Sequence, residues 1–150
     1  MIITFCGHSE YMCGKEEKSL LYEILEEKIK NEPTCKFYLG GYGYFNSLCF
    51  DVLKDLQKTY KDIELLYITP YLDKRLELVK LEYDGIIYPP LEYVPKKFAI
   101  IRRNEWMVDN SDYLIAFVRF SWGGAAKMLE YAKRKKKPFI NLAECEGVKD

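Results

Sequence analysis

The chain has 150 residues, of which 49 % are hydrophobic and 31 % are charged, and its 23 basic residues balance 23 acidic ones. This length and composition favour one globular domain with one hydrophobic core over residues 1–150. A formal net charge of zero gives no global field towards nucleic acid or a membrane surface. We therefore expect neither of them as a partner.

No apolar stretch approaches the roughly 20 residues that a membrane-spanning helix needs. The first residues, 1–6, already have a strand pattern and lack the basic segment of a signal peptide, so we expect a cytoplasmic protein. The five cysteines are odd in number and include no Cys-x-x-Cys pair, which supports neither a disulfide framework nor a zinc site. We expect no metal and no cofactor, and we expect Cys6 to be a small buried residue, with a nucleophile as the less favoured alternative.

Hydrophobic periodicity divides the chain into alternating strands and helices. Leu21, Leu25 and Ile29 recur at helical spacing, whereas residues 63–69 are nearly continuously apolar, as in a strand buried on both faces. In chain order the pattern predicts strand 2–6, helix 16–30, strand 36–39, helix 45–60, strand 63–69, helix 73–81, strand 85–88, helix 95–110, strand 113–118, helix 124–135 and strand 138–142.

This alternation predicts an α/β fold, a three-layer sandwich with a mostly parallel sheet and helices on both faces. In such sheets, ligands bind beyond the carboxyl ends of the strands, where the strand order reverses. The predicted loops at that edge are 7–10, 40–43, 69–71 and 121–124. We expect Gly7, Ser9, Thr69 and Ser121 from these loops to contact the ligand.

Two junctions in the chain have a strand, a glycine pair and then a helix. One carries Gly123 and Gly124, and the other carries Gly40 and Gly41 followed by Gly43. Glycines let a ligand approach the backbone, and a helix start offers unpaired N–H groups and a positive dipole end. Two such junctions in a short chain indicate a nucleotide-type small molecule as the ligand.

Side chains beside these glycines suggest further contacts. Tyr42 and Trp122 flank the two turns and are candidates for stacking on a base, with a lid or packing role as the alternative. His8 is the only histidine and could donate a proton or contact the ligand. Asn104 and Asp109 are candidate partners for ribose hydroxyls.

Residues 133–137 read Lys-Arg-Lys-Lys-Lys, the one charge run in the chain. Basic residues in a last helical turn interact favourably with the helix dipole. Nucleic-acid surfaces interleave such charges with aromatic residues, and no aromatic residue interrupts this run. The pattern therefore favours a solvated helix end.

Taken together, these motifs resemble the SLOG superfamily of Rossmann-like domains, and most closely its YpsA-like branch. The resemblance covers nearly the whole chain. The stretches that carry it are Leu39-Gly-Gly-Tyr-Gly, Thr69-Pro-Tyr, Tyr88-Pro-Pro-Leu, Arg103-Asn-x-Trp-Met, Asp109-Asn-Ser-Asp112 and Trp122-Gly-Gly-Ala.

SLOG also contains the Lonely Guy phosphoribohydrolases, whose motif is Gly-Gly-x-Gly-Thr-x-x-Glu after an Arg-x-x-x-Met element. The resemblance implies that Glu130 is a catalytic carboxylate and that Arg103 orients it or clamps a phosphate. Two positions depart from the family pattern, since Ala126 replaces its third glycine and Lys127 its threonine. Lys127 could supply charge to a phosphate or could block the pocket.

Two functions follow from this resemblance, and a protein-interaction regulator with a vestigial pocket is a weaker third alternative. In the first, the chain binds a nucleotide or a nucleotide-derived molecule, ADP-ribose-like or cyclic, as a sensor or sequestering protein, which the two departures favour. In the second, it is an N-glycosidase or deoxyribosyltransferase that uses Glu130. Small SLOG proteins commonly pair, so a homo-oligomer is expected with either function.

Overall fold

The computed structural model describes residues 1–145. Its strands are β1 (Ile2–Gly7), β2 (Lys36–Leu39), β3 (Glu64–Ile68), β4 (Gly85–Ile87), β5 (Tyr113–Phe117) and β6 (Phe139–Asn141). Its α-helices are α1 (Lys15–Asn31), α2 (Tyr44–Gln57), α3 (Leu76–Glu82), α4 (Ala99–Asp109) and α5 (Gly124–Arg134). Two 3₁₀ turns, Lys96–Phe98 and Leu142–Glu144, complete the order. Every predicted strand and helix is present, with shifts of up to four residues at its ends.

All six strands join one sheet in the order β4-β3-β2-β1-β5-β6, and each neighbouring pair is parallel. The central strand β1 pairs with β2 on one side and with β5 on the other, where Phe5 faces Ile115. The chain thus builds one half of the sheet outward from β1 and then returns to build the other half. The strand order reverses between β1 and β5, and this is where such sheets bind ligands.

Helices cover both faces of the sheet, as predicted. On one face, α1 and α2 bury Leu21, Leu25 and Leu53 against strand residues such as Phe37. On the other face, α4 and α5 bury a second cluster that includes Met107 and Leu129. The strands present one set of side chains to each cluster because successive side chains in a strand point to opposite faces. The α/β three-layer architecture of the prediction is confirmed.

One strand is less buried than predicted. The prediction that 63–69 is buried on both faces is wrong, because Glu64 is exposed and Leu66 and Tyr67 are only partly covered. The neighbouring helix α3 contributes no buried residue, so it shields this side of the sheet poorly. Within residues 1–145, no helix combines the length and the apolar character needed to cross a bilayer.

Candidate functional site

A cleft of about 570 Å³ opens at the carboxyl ends of β1, β2 and β5, where the strand order reverses. Three loops form its walls, one after each of these strands, and α4 closes one side. The predicted residues that line it are Gly7, His8, Ser9, Gly40, Tyr42, Arg103, Asn104, Trp122, Gly123 and Gly124. The structure therefore brings together residues that are more than 110 positions apart in the chain.

Three predicted ligand contacts lie outside this lining and have structural roles. Gly41 and Gly43 both have positive φ, and a Cβ at these positions would collide with the Tyr67 ring and with the Ser9 backbone. Thr69 is buried, and its hydroxyl donates to the Tyr71 carbonyl at 2.6 Å. These residues shape the loops around the cleft without facing it.

Glu130, Lys127 and Ser121 also lie outside the lining, in an adjoining depression of about 300 Å³ between α4 and α5. The depression and the cleft share a rim that includes Asn104 and Gly124. The side chain of Glu130 is 69 % exposed and forms an ion pair with Lys133 at 3.7 Å. The carboxylate that the resemblance designates as catalytic thus faces solvent beside the cleft.

Arg103 is the buried cation of the site. Only 6 % of the residue is exposed, and its Nη1 donates to the Gly40 carbonyl at 3.1 Å and to the Ile68 carbonyl at 2.9 Å. Its Nε donates to Oδ1 of Asn104 at 2.9 Å. Burial lowers the pKa of the guanidinium from its ordinary value, and the nearby Tyr67 opposes this shift, but arginine stays charged in proteins.

No carboxylate forms an ion pair with Arg103 in the part of the chain that the structure describes. A buried charge without an ionic partner is costly. The guanidinium nevertheless lines the cleft, so an anion that entered the cleft would provide the missing partner.

The loop that precedes α5 leaves open space above its backbone. Gly123 has a φ of 91°, which favours glycine, and it is the N-cap of the helix. A Cβ at Gly123 or at Gly124 would have no atom within 4 Å. Neither the N-cap nor an acidic residue of the first turn satisfies the first N–H groups of α5, and such groups attract anions.

His8 holds two loops together. Its Nε2 accepts hydrogen bonds from the backbone N–H of Arg119 at 2.9 Å and of Phe120 at 3.3 Å. Burial lowers the pKa of the imidazole and so favours its neutral form, and because Nε2 accepts these bonds, the proton of the neutral ring lies on Nδ1. His8 thus has a positioning role in the cleft wall, and a ligand contact through Nδ1 stays a prediction.

An aromatic wall extends from His8 to the mouth of the cleft. The ring of Phe120 lies 4.8 Å from His8 and stacks on Trp122 at 4.8 Å with an interplanar angle of 16°. Trp122 is 68 % exposed, and on another loop of the cleft Tyr42 is 76 % exposed. Two large aromatic side chains therefore face solvent at a cleft mouth, where a flat ligand could stack.

Sequence reasoning missed several lining residues, notably Glu10, Asn46 and Phe120. Glu10 and Arg103 are the two charged side chains among the described lining residues. The sequence signal for Phe120 was its position next to the Ser121–Gly124 turn. Glu10 lies in the predicted loop 7–10 and Asn46 in the first turn of α2, but neither position has a residue pattern that marks a contact with the cleft.

Cys6 also lines the cleft, and it is buried as predicted. Desolvation raises the pKa of its thiol to about 12, so the sulfur stays protonated. Among residues 1–145, no group of three or more His, Cys, Asp or Glu side chains is arranged to hold a metal ion. That the protein needs no metal and no cofactor stays a prediction.

No family model matches the chain, but comparison with known proteins finds a related sequence. The chain is 28 % identical over 140 residues to the uncharacterized SPbeta prophage-derived protein YoqJ of Bacillus subtilis (strain 168). The match covers 78 % of this chain and 80 % of that protein.

Solved structures share the fold. One is DNA processing protein A from Helicobacter pylori, which binds single-stranded DNA. Its structure aligns with this chain at a TM-score of 0.66 and 16 % identity, and the alignment covers 100 % of this chain and 68 % of that protein chain. Another is the molybdenum cofactor carrier protein from Chlamydomonas reinhardtii, which aligns at a TM-score of 0.60 and 16 % identity. That alignment covers 92 % of this chain and 73 % of the carrier protein chain. At this level of identity the two structures show the fold, and the predicted Rossmann-like fold is confirmed.

The exclusion of nucleic acid as a partner is wrong. A protein with the same fold binds single-stranded DNA, so the fold is compatible with such a ligand. The exclusion used the net charge of the whole chain, whereas binding depends on where the cations lie on the surface.

Proposed function

We propose that the cleft binds a nucleotide-type small molecule, either a nucleotide or an ADP-ribose-like or cyclic derivative, and that the protein acts as a sensor or a sequestering protein. The buried guanidinium of Arg103 carries this proposal. It lines the cleft, and within residues 1–145 it has no carboxylate to neutralise it. An anionic ligand would supply that neutralisation.

The rest of the cleft fits the other parts of a nucleotide. The open space above Gly123 and Gly124 lets a phosphate reach the first N–H groups of α5. The exposed ring of Trp122, supported by Phe120, offers a face on which a base can stack. Stacking of this kind is worth about 1–3 kcal/mol per base.

The same proposal includes a specific branch of the SLOG superfamily. The motifs around Gly40, Arg103 and Gly123 support a place in the YpsA-like branch of SLOG. A role in nucleotide signalling would follow from that position. The homo-oligomer and the cytoplasmic location stay predictions.

Binding without turnover ranks ahead of N-glycosidic cleavage. Cleavage needs a carboxylate at the anomeric carbon of the ribose, and Glu130 lies outside the cleft lining, exposed and paired with Lys133. Among the described residues, the carboxylate that lines the cleft is that of Glu10. The enzymatic alternative with Glu130 therefore requires a ligand that extends over the rim into the adjoining depression.

One experiment separates these functions. The pure protein is incubated with a panel of nucleoside monophosphates, NAD, ADP-ribose and cyclic nucleotides, and the bound and free fractions are analysed by mass spectrometry. An unchanged molecule in the bound fraction supports a binding protein. Free base or ribose phosphate that accumulates in the wild type and is lost in Glu130→Gln would support the enzyme.

A graded pair of variants tests the position of the ligand. Gly124→Ala and Gly124→Val add one and three carbons to open space. We expect affinity for the ligand found in the panel to fall stepwise, with at least a tenfold loss in the valine variant and little change in the melting temperature. Unchanged affinity in Gly124→Val would place the ligand elsewhere.

A further inference from the structure

The carboxyl-terminal end of α5 is a second charged surface, outside the lining of the cleft. We call it the basic end; it consists of Tyr131, Lys133, Arg134, Lys135, Lys136 and Phe139. The helix starts at the cleft with Gly124 and runs 11 residues to Arg134, which places the two ends about 16 Å apart. None of the basic-end residues lines the cleft, although Tyr131 and Arg134 line the adjoining depression.

The fold brings aromatic rings to these cations, although none interrupts the charge run in sequence. The guanidinium of Arg134 and the ammonium of Lys135 lie 5.6 and 5.4 Å from the centre of the Tyr131 ring. The ammonium of Lys133 lies 5.8 Å from the Phe139 ring, and Phe139 is 36 % exposed on the edge strand β6. The interpretation as a plain solvated helix end assumed that aromatic residues were absent here.

Lys136 has a backbone conformation that does not favour lysine. Its φ is 57°, and its N–H donates to the Lys133 carbonyl while the N–H of Lys137 donates to the Ala132 carbonyl. This pair of hydrogen bonds is the Schellman helix ending, in which the residue with positive φ is usually glycine. Glycine would be less strained here, so the lysine at this position carries a conformational cost that glycine would avoid.

Carboxylates neutralise only part of the basic end. Glu130 pairs with Lys133 at 3.7 Å, and Asp109 accepts hydrogen bonds from the Tyr131 hydroxyl at 2.8 and 2.9 Å. Among residues 1–145, no carboxylate forms an ion pair with Arg134, Lys135 or Lys136. Three neighbouring cations are thus available to an external anion.

We propose that the basic end binds single-stranded nucleic acid. The three cations can contact successive phosphates, and such contacts supply most of the affinity of nonspecific binding. The exposed ring of Phe139 can stack with unpaired bases, which every sequence offers and a duplex does not expose. An arginine plane stacked near a ring adds a second surface of the same kind.

The test is binding of a fluorescent oligothymidylate of about 20 nucleotides, measured by anisotropy over a series of salt concentrations. The variant Arg134→Gln/Lys135→Gln/Lys136→Gln removes three charges, and Lys15→Gln/Lys18→Gln/Lys61→Gln removes three exposed charges elsewhere as the matched control. We expect the first variant to lose at least tenfold in affinity and its salt slope to fall by about 0.7 for each phosphate that the protein no longer neutralises. The control should stay within twofold of the wild type, and equal losses in both variants would overturn the proposal.

Two single variants test the aromatic part and the lysine turn. Phe139→Leu should weaken binding of the single strand and leave binding of a matched duplex unchanged. Lys136→Gly should raise the melting temperature, because glycine accepts the positive φ, and should weaken binding at the same time. If Lys136→Gly raises the melting temperature but the strand binds as before, the lysine charge has no role in binding.

A last control asks whether another kind of anionic partner binds the basic end instead of single-stranded nucleic acid. Vesicles of phosphatidylcholine with phosphatidylserine present surface charge without stacking groups. Binding to these vesicles at least as tightly as to the single strand, or equal binding of single strand and duplex, would overturn the proposal. None of the substituted residues lines the cleft, so the small-molecule panel and this test can fail separately.

Discussion

Gly40 and Arg103 are in contact through both the backbone and the side chain. The Gly40 carbonyl accepts a hydrogen bond from Nη1 of Arg103 at 3.1 Å, and a Cβ at position 40 would lie 3.2 Å from the guanidinium carbon. The same Nη1 reaches the Ile68 carbonyl. The Arg103 side chain, which comes from α4, thus donates to backbone carbonyls at the carboxyl ends of β2 and β3, and its positive charge lies at the cleft.

Arg103→Lys tests whether the hydrogen bonds of the guanidinium stabilise the protein, apart from the positive charge that both residues carry. A lysine retains the charge, but its compact ammonium cannot reproduce the fixed donor geometry of arginine towards two carbonyls and Asn104. We expect the free energy of unfolding to fall by about 1–3 kcal/mol, the cost of a buried polar group left unsatisfied. Urea denaturation measures the loss.

The adjacent arginine provides the control for this prediction. Arg102 is exposed on the same helix, so Arg102→Lys should change the free energy of unfolding by less than about 0.5 kcal/mol. Equal effects of the two substitutions would mean that the buried hydrogen bonds do not stabilise the protein.

Much of the fold was predictable because its signals are local. The periodicity of Leu21, Leu25 and Ile29 predicts a helix, and the continuous apolar run 113–118 predicts a buried strand. The glycine turns could also be placed, since Gly123 needs a positive φ that glycine adopts readily. Each of these features depends on a few neighbours in the chain.

The parts of the site that could not be predicted depend on the direction in which side chains point. Sequence spacing places Glu130 six residues after Gly124, but only the rotation of α5 decides that its side chain points to solvent near Lys133. The cation–π contact of Lys133 with Phe139 joins a helix to the next strand, so the linear charge run does not reveal it. Packing between elements decides both cases.

The two glycines before α5 should respond differently to alanine. Gly123 has a φ of 91° with no neighbour near its Cβ position, so Gly123→Ala should cost about 1 kcal/mol through backbone conformation alone. Gly124 lies in the helix with a similarly open Cβ position, so Gly124→Ala should leave stability unchanged or raise it by up to about 1 kcal/mol. Thermal or urea denaturation gives the comparison, and a greater loss in Gly124→Ala would contradict it.

Gly7→Ala should destabilise the protein for a steric reason. A Cβ at Gly7 would lie 2.3 Å from the ring of Phe45, which packs in the core beside Phe117. Overpacking of this kind costs about 1–3 kcal/mol. The double variant Gly7→Ala/Phe45→Leu should lose less stability than the sum of its single substitutions, because the smaller side chain makes room. Additive losses in urea denaturation would mean that the two residues do not conflict.

Stability should fall in mild acid because of His8. Its Nε2 accepts two backbone hydrogen bonds, and protonation would turn this acceptor into a donor that faces the N–H groups of Arg119 and Phe120. Burial lowers the pKa of the folded imidazole below its ordinary value of 6.5. The unfolded chain therefore binds more protons between the two pKa values. The contribution of His8 is fully present above about pH 6.5 and is lost as the pH falls through the folded pKa.

NMR and denaturation can check this pH dependence, because His8 is the only histidine and gives the only imidazole titration. We expect a titration midpoint below 6.5 and a wild type that is less stable at about pH 5.5 than at about pH 7.5. His8→Gln keeps an acceptor that does not titrate, so it should lose less stability over this window. The carboxylates titrate equally in both proteins. The difference between their losses of stability over this pH window therefore reports the imidazole of His8 alone. A midpoint at or above 6.5, or the same loss in His8→Gln, would show that the two backbone hydrogen bonds do not hold His8 in its neutral form.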